Sequence, residues 1–256
     1  MSKHRILILG GTTEARQLAA ALAPRADCEL LLSLAGRTAE PMAQPVPVRS
    51  GGFGGSQGLS SFLNEENFEL LIDATHPFAA RISRNAAIAA DETGIPLFAL
   101  RRPAWKQEPG DRWTGVHSIA EAVAALGELP RRVFLAIGRQ EAFHFESAPQ
   151  HHYIIRSVDP VTPPLGVPDA RYILATGPFE EPAERKLLTD NRIEVIVAKN
   201  SGGTATYGKI AAARALGLEV IMVERQQPAD VRTVGTVEEA LGLVDHLFSP
   251  EMKRGV

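Results

Sequence analysis

Gly10, Gly11, Thr12 and Thr13 form a stretch suited to holding an anion: two glycines let the backbone approach a phosphate, and two threonine hydroxyls add donors. A second stretch of this kind, Lys199-Asn200-Ser201-Gly202-Gly203, offers an amine, a hydroxyl and backbone N–H groups, with Tyr207 four residues beyond. Between them lie Arg37, the run Ser50-Gly51-Gly52-Phe53-Gly54-Gly55, the run Asp73-Ala74-Thr75-His76-Pro77-Phe78-Ala79, and Gly138-Arg139-Gln140-Glu141. Arg139, His76, Lys199, Ser201 and Gly202 are groups for a ligand's carboxylates, and Asp73, His76, Lys199 and Tyr207 could pass on a proton, as could water. The lone cysteine, Cys28, sits in an apolar stretch, so neither a disulfide framework nor a thiolate metal site is expected.

The elements that must position these groups follow from the apolar pattern. Ile6-Leu7-Ile8-Leu9 has no polar alternation and reads as a parallel strand buried on both faces. Leu18, Ala19 and Leu22 recur at helical spacing after the turn, and Thr12 or Thr13 can cap that helix. Strand, glycine turn and helix in this order open many dinucleotide-binding domains. The turn departs from G-x-G-x-x-G, with Ala15 in the third glycine's place, so an ordinary tight turn is the alternative. The next strand, 29–34, carries Ser33 and ends close to Arg37, where an arginine suits a 2′-phosphate and favours NADPH; a solvated loop arginine is the other reading. A short strand at 46–48 leads to Gly52, Phe53 and Gly54, a loop on which a flat ligand could lie or a plain flexible loop. Asp73 closes a further strand, and His76 stands at its carboxyl end, where ligands of open α/β sheets bind. The strand at 94–100 exits into Arg101-Arg102-Pro103-Ala104-Trp105-Lys106, either a grip for an acidic planar ligand or solvated arginines beside a half-buried indole.

The pattern then restarts. Residues 133–138 mirror the opening strand and its glycine, and 194–199 mirror the strand ending at Asp73. Residues 217–225 copy 94–102, and 234–241 echo 116–123. Such repetition predicts an α/β protein of two Rossmann-like parallel-sheet domains related by an internal duplication, with a cleft between them. The stretch 127–132 reads as the linker, giving a cofactor-binding domain at 1–128 and a substrate-side domain at 129–256. In the second, Gly138-Arg139-Gln140-Glu141 is a poor dinucleotide cradle but could hold a carboxylate.

Composition narrows the partners. With 256 residues, 45% apolar and 22% charged, the chain can bury a sizeable core, and a net charge of −3 argues against nucleic acid. No apolar run is long enough for a membrane span, and the residues before Gly10 are too short for a signal peptide, so a cytoplasmic protein is expected; its partners are read as small molecules and the chain as a monomer.

Taken together, I-L-I-L-G-G-T-T-E-A-R, S-G-G-F-G-G, D-A-T-H-P-F-A, G-R-Q-E and K-N-S-G-G with the Tyr207-Gly208-Lys209 helix start resemble the precorrin-6A reductases of cobalamin biosynthesis. The resemblance spans nearly the whole chain. It implies NADPH as hydride donor and a polycarboxylate tetrapyrrole, precorrin-6A, as substrate, with no resident metal. It further implies that Gly10 to Thr13 hold the pyrophosphate, Arg37 the 2′-phosphate, and residues 51–55 lie near the nicotinamide. Ala205 departs from it, standing where a glycine is expected. The alternatives are a cobalt-precorrin-6A reductase, an NADP-dependent epimerase or dehydrogenase, and an NADPH-sensing module. The epimerase reading lacks its Tyr-x-x-x-Lys, since Ala211 stands four residues after Tyr207.

Overall fold

A computed structural model describes residues 3–36, 43–226 and 230–249. In chain order its elements are β1 (His4–Leu9), α1 (Thr13–Leu22), β2 (Cys28–Leu34), β3 (Val48–Ser50), α2 (Ser56–Glu65), β4 (Leu70–Asp73), α3 (Ala80–Thr93) and β5 (Leu97–Leu100). Then come β6 (Arg112–Val116), α4 (Ile119–Ala125), β7 (Arg132–Ala136), α5 (Arg139–Ala142), β8 (His152–Ser157), β9 (Ala170–Leu174) and α6 (Glu181–Asp190). The chain closes with β10 (Val195–Lys199), α7 (Gly208–Leu216), β11 (Glu219–Val223), β12 (Thr233–Val234) and α8 (Val237–Phe248).

The strands form two six-stranded sheets of identical topology, ordered β12-β5-β4-β1-β2-β3 and β6-β11-β10-β7-β8-β9. Every pair in both is parallel. The duplication is therefore real, but the boundary at 128 is not where the chain divides. One unit is Met1–Pro103 with Gln227–Val256, and the other is Ala104–Gln226. Each half gives its last strand and helix to the other's unit: β6 pairs with β11, Arg112 opposite Glu219, while β12 pairs with β5, Thr233 opposite Ala99. The echo between 116–123 and 234–241 explains how this is possible, because two nearly equivalent strand-helix segments fit either sheet edge. Their helix starts also match, with Ser118 capping α4 through Glu121 N–H and Thr236 capping α8 through Glu239 N–H. Residues 127–131 form only the turn between α4 and β7 inside one unit.

Both faces of the first sheet are buried, as its unbroken apolar strands require. Ile6 and Ile8 of β1 face Leu18 and Leu22 of α1 and Leu243 and Val244 of α8, while Leu7 and Leu9 face Leu59 and Leu63 of α2 and Ala86 and Ala89 of α3. In the second sheet Phe134, Ile154, Ile196 and Met222 pack against Leu188 of α6 and Ile210 and Ala213 of α7. Among the described residues no helix is long and apolar enough to cross a membrane, and no group of three or more His, Cys, Asp or Glu side chains could hold a metal ion.

Candidate functional site

In the first unit the turn after β1 leads directly into the N-terminus of α1. A methyl group at Gly10 would lie 2.6 Å from Leu32 Cδ1, so this glycine is needed for packing against β2. Gly11 has φ +111°, and a methyl group there would meet nothing within 4 Å, which leaves its backbone open to a ligand. Thr12 is the N-cap: its hydroxyl accepts the Ala15 N–H at 3.1 Å and donates its proton to Ala74 O at 2.8 Å. The Thr12 hydroxyl, expected to face a phosphate, is thereby committed to tying α1 to the exit of β4. The donors left for an anion are the exposed Thr13 hydroxyl and the first N–H groups of α1, with the positive end of its dipole behind them. Ala15 is buried at the third glycine's place, where helix and strand pack closely.

The neighbouring strand ends carry a group the sequence reading passed over. Gly10 N–H donates to Ser33 O at 2.9 Å, and the buried Ser33 hydroxyl accepts from Arg49 at 3.2 Å. Arg49 also donates to the carbonyls of Gly51 at 3.0 Å and Gly52 at 3.3 Å and lies over the Phe53 ring at 3.9 Å. The glycine run is thus a shaped loop, with Gly51, Gly54 and Gly55 all at positive φ. Gly58 of α2 fixes its far side, since a methyl group there would sit 1.7 Å from Phe53 O. Gly52, Phe53 and Gly54 belong to this loop, whereas Arg37 lies outside the described residues.

Asp73, expected as a catalytic group, is held by partners of its own unit. It is buried; Oδ1 accepts from Thr75 N at 3.1 Å and Thr75 Oγ1 at 2.6 Å, and Oδ2 pairs with Arg101 at 2.9 Å. Arg102 pairs with Glu14 at 2.6 Å, so the two arginines after β5 bind the unit's own carboxylates. His76 keeps a place at the edge of this cluster, half-buried, its Nδ1 accepting the Phe78 N–H at 3.3 Å, which puts the neutral ring's proton on Nε2.

In the second unit the motifs after β7 and β10 meet. Lys199 Nζ donates to Glu141 Oε1 at 3.0 Å, and the other Glu141 oxygen lies 3.7 Å from His144 Nε2. Side-chain exposure rises along this row, from 16% at Lys199 through 34% at Glu141 to 58% at His144. It therefore runs from a sheltered amine to solvent. Arg139 stands 3.8 Å from Asp159 on the same turn. Ser201 and Gly202 are buried in the loop after Lys199, Gly202 at φ +66°. Asn200 clamps this loop by bonding Trp105 N–H at 2.8 Å and Trp105 O at 3.1 Å, and the indole N–H donates to Gly203 O at 2.7 Å. Trp105 is thus a buried strut. Ala205 needs no positive φ, and its carbonyl accepts the Phe179 N–H at 2.9 Å, which is why alanine suffices where a glycine was expected.

Tyr207, the other expected proton donor, is held in the framework. Its hydroxyl donates to Glu108 at 2.9 Å and accepts from Arg214 at 2.5 Å. Burial pushes the phenol up, with Glu108 adding to the shift and Arg214 opposing it, so the group stays neutral. Lys209, buried in the first turn of α7, donates to Thr206 O at 2.6 Å and lies 4.8 Å from the Trp105 ring.

The pattern of the precorrin-6x reductase CbiJ/CobK family matches residues 5–245. A protein named precorrin-6A reductase from Sinorhizobium sp. is 67% identical over 250 residues, covering 98% of this chain and 96% of the relative. One of the same name from Rhodobacter capsulatus is 49% identical, covering 98% and 99%. A solved structure titled CobK precorrin-6A reductase superposes with a TM-score of 0.92 at 47% identity, covering 99% of this chain and all of that one. By pattern, by near-full-length identity and by fold, the chain belongs to the precorrin-6x reductase family.

Proposed function

We propose that the protein is an NADPH-dependent oxidoreductase that reduces a macrocycle double bond of precorrin-6A to give precorrin-6B in cobalamin biosynthesis. The observation that carries this reading is the near-full-length identity to proteins named precorrin-6A reductase. The open Gly11 cradle at the start of α1 fits a dinucleotide's pyrophosphate, and the loop 51–55, expected near the nicotinamide, instead follows β3 beyond β2, on the side that suits the adenosine half. NADPH, when bound, supplies the hydride.

The chain's own residues then have separable tasks. Gly11, Thr13 and the first N–H groups of α1 hold the pyrophosphate. Lys199, Arg139, Ser201 and Gly202 take carboxylates of the ring, and His76 offers its Nε2–H. Reduction of a double bond also needs a proton at the neighbouring atom. Lys199 is the group assigned to deliver it: Glu141 orients the amine and is itself a third exposed, so solvent beside it can restore the proton. Asp73, Tyr207 and Trp105 act through the loops they hold.

The test is to mix the protein with NADPH and purified precorrin-6A and follow the near-ultraviolet absorbance of NADPH. Consumption should require precorrin-6A. NADPH that binds but is never consumed would favour a sensing module over an enzyme.

A further inference from the structure

We infer that Arg49 is the residue that reads the 2′-phosphate and so sets the preference for NADPH over NADH; this rests on the NADPH reading above. In open α/β sheets that bind dinucleotides, the group that meets the adenosine ribose stands at the end of the second strand, beside the pyrophosphate turn. Here that place holds Ser33, whose carbonyl accepts the Gly10 N–H at 2.9 Å. A short uncharged side chain leaves room for a phosphate where a carboxylate would repel it. Arg49 delivers the charge from the next strand. Its Nη1 donates to Ser33 Oγ at 3.2 Å and Gly51 O at 3.0 Å, and its Nη2 donates to Gly52 O at 3.3 Å.

Two features set Arg49 apart from the framework arginines of this unit. Arg5, Arg101 and Arg102 are each neutralised by a carboxylate, whereas every acceptor that Arg49 meets among the described residues is a neutral oxygen. Its Nε–H and one Nη2–H make no bond among the described residues, so the planar fork keeps donors for a phosphate. The Phe53 ring, 3.9 Å from the guanidinium carbon, fixes the plane of that fork. The sequence concealed this because the short strand reads as 46–48, whereas β3 spans Val48–Ser50 and places Arg49 within it, opposite Ser33.

Calorimetric titration of the whole protein with NADPH and with NADH tests the assignment. Arg49→Gln should weaken NADPH by on the order of 10- to 100-fold and leave NADH unchanged, as expected for lost charge-assisted bonds to a group only NADPH carries. Equal loss for both cofactors would reduce Arg49 to a staple of the glycine loop and overturn the proposal. So would an Arg37→Gln variant that alone abolished the preference while Arg49→Gln kept it. If Arg49→Gln lacks the parent's melting transition, Arg49→Lys decides: the charge stays and the fork goes, so several-fold weaker NADPH with unchanged NADH supports the assignment, and an equal loss overturns it. A parent protein that binds NADH but not NADPH would overturn the NADPH reading as well.

Discussion

Lys199→Ala is expected to lower turnover of precorrin-6A by on the order of 100-fold or more while leaving NADPH affinity and melting temperature nearly unchanged. The amine ends β10, whose preceding residues Val195 to Ala198 are buried in the sheet, so its backbone position is rigid while its side chain sits at the strand's end. It is sheltered at 16% exposure and meets Glu141 at 3.0 Å. Loss of that pair costs the fold about 1 kcal/mol or less, because Glu141 is a third exposed and water can solvate it. The catalytic cost has two sources: a partly desolvated carboxylate of the ring loses its cation, and the proton loses its donor. Glu141→Gln keeps the shape and removes the charge, so it should slow turnover less than Lys199→Ala. Steady-state rates with saturating NADPH, set beside thermal melts, separate these effects. Unchanged turnover, or a large fall in melting temperature, would make Lys199 a framework residue.

A fragment of residues 1–128 is expected not to fold, whereas 1–103 joined to 227–256 through a short flexible linker should fold and bind NADPH. The first fragment lacks β12 and α8, so it bares the β5 edge and the α1 face that Ala240, Leu243 and Val244 cover. Burial of Leu243 and Val244 alone is worth about 3–6 kcal/mol, a large part of the roughly 5–15 kcal/mol that holds a domain together. The fragment would also carry β6 and α4 without β11, their partner in the other sheet. Circular dichroism and cooperative melting distinguish the two designs. A cooperatively folded 1–128 fragment would contradict the exchange of terminal segments.

The contrast between these designs shows what the residues disclosed. Local physics made β1 and its turn legible: four apolar residues without alternation read as a strand covered on both faces, and Gly10-Gly11 as the turn that ends it, with or without an anion. The duplication was legible because the two halves repeat the same order of strand and helix. The exchange was not, because end segments of the same strand-cap-helix pattern carry no mark of which sheet edge they join; pairing over more than 100 residues decides it, as between Ala99 and Thr233. Site residues divided in the same way. Lys199 was readable as a cation at a strand end, but its partner Glu141 lies 58 residues away and only the fold brings them together. Asp73 and Tyr207 had the right chemistry for proton transfer, yet Arg101, Thr75, Glu108 and Arg214 occupy them. Arg49 was hidden by a two-residue shift in a three-residue strand.

The most direct measurement is isotopic. With NADPH deuterated at its transferable position and precorrin-6A in ordinary water, the reduced ring should gain one deuterium and one protium by mass spectrometry, and oxidised cofactor should form in equal amount. A reduced product without deuterium, or oxidised cofactor without a reduced ring, would contradict direct hydride transfer from NADPH to the macrocycle.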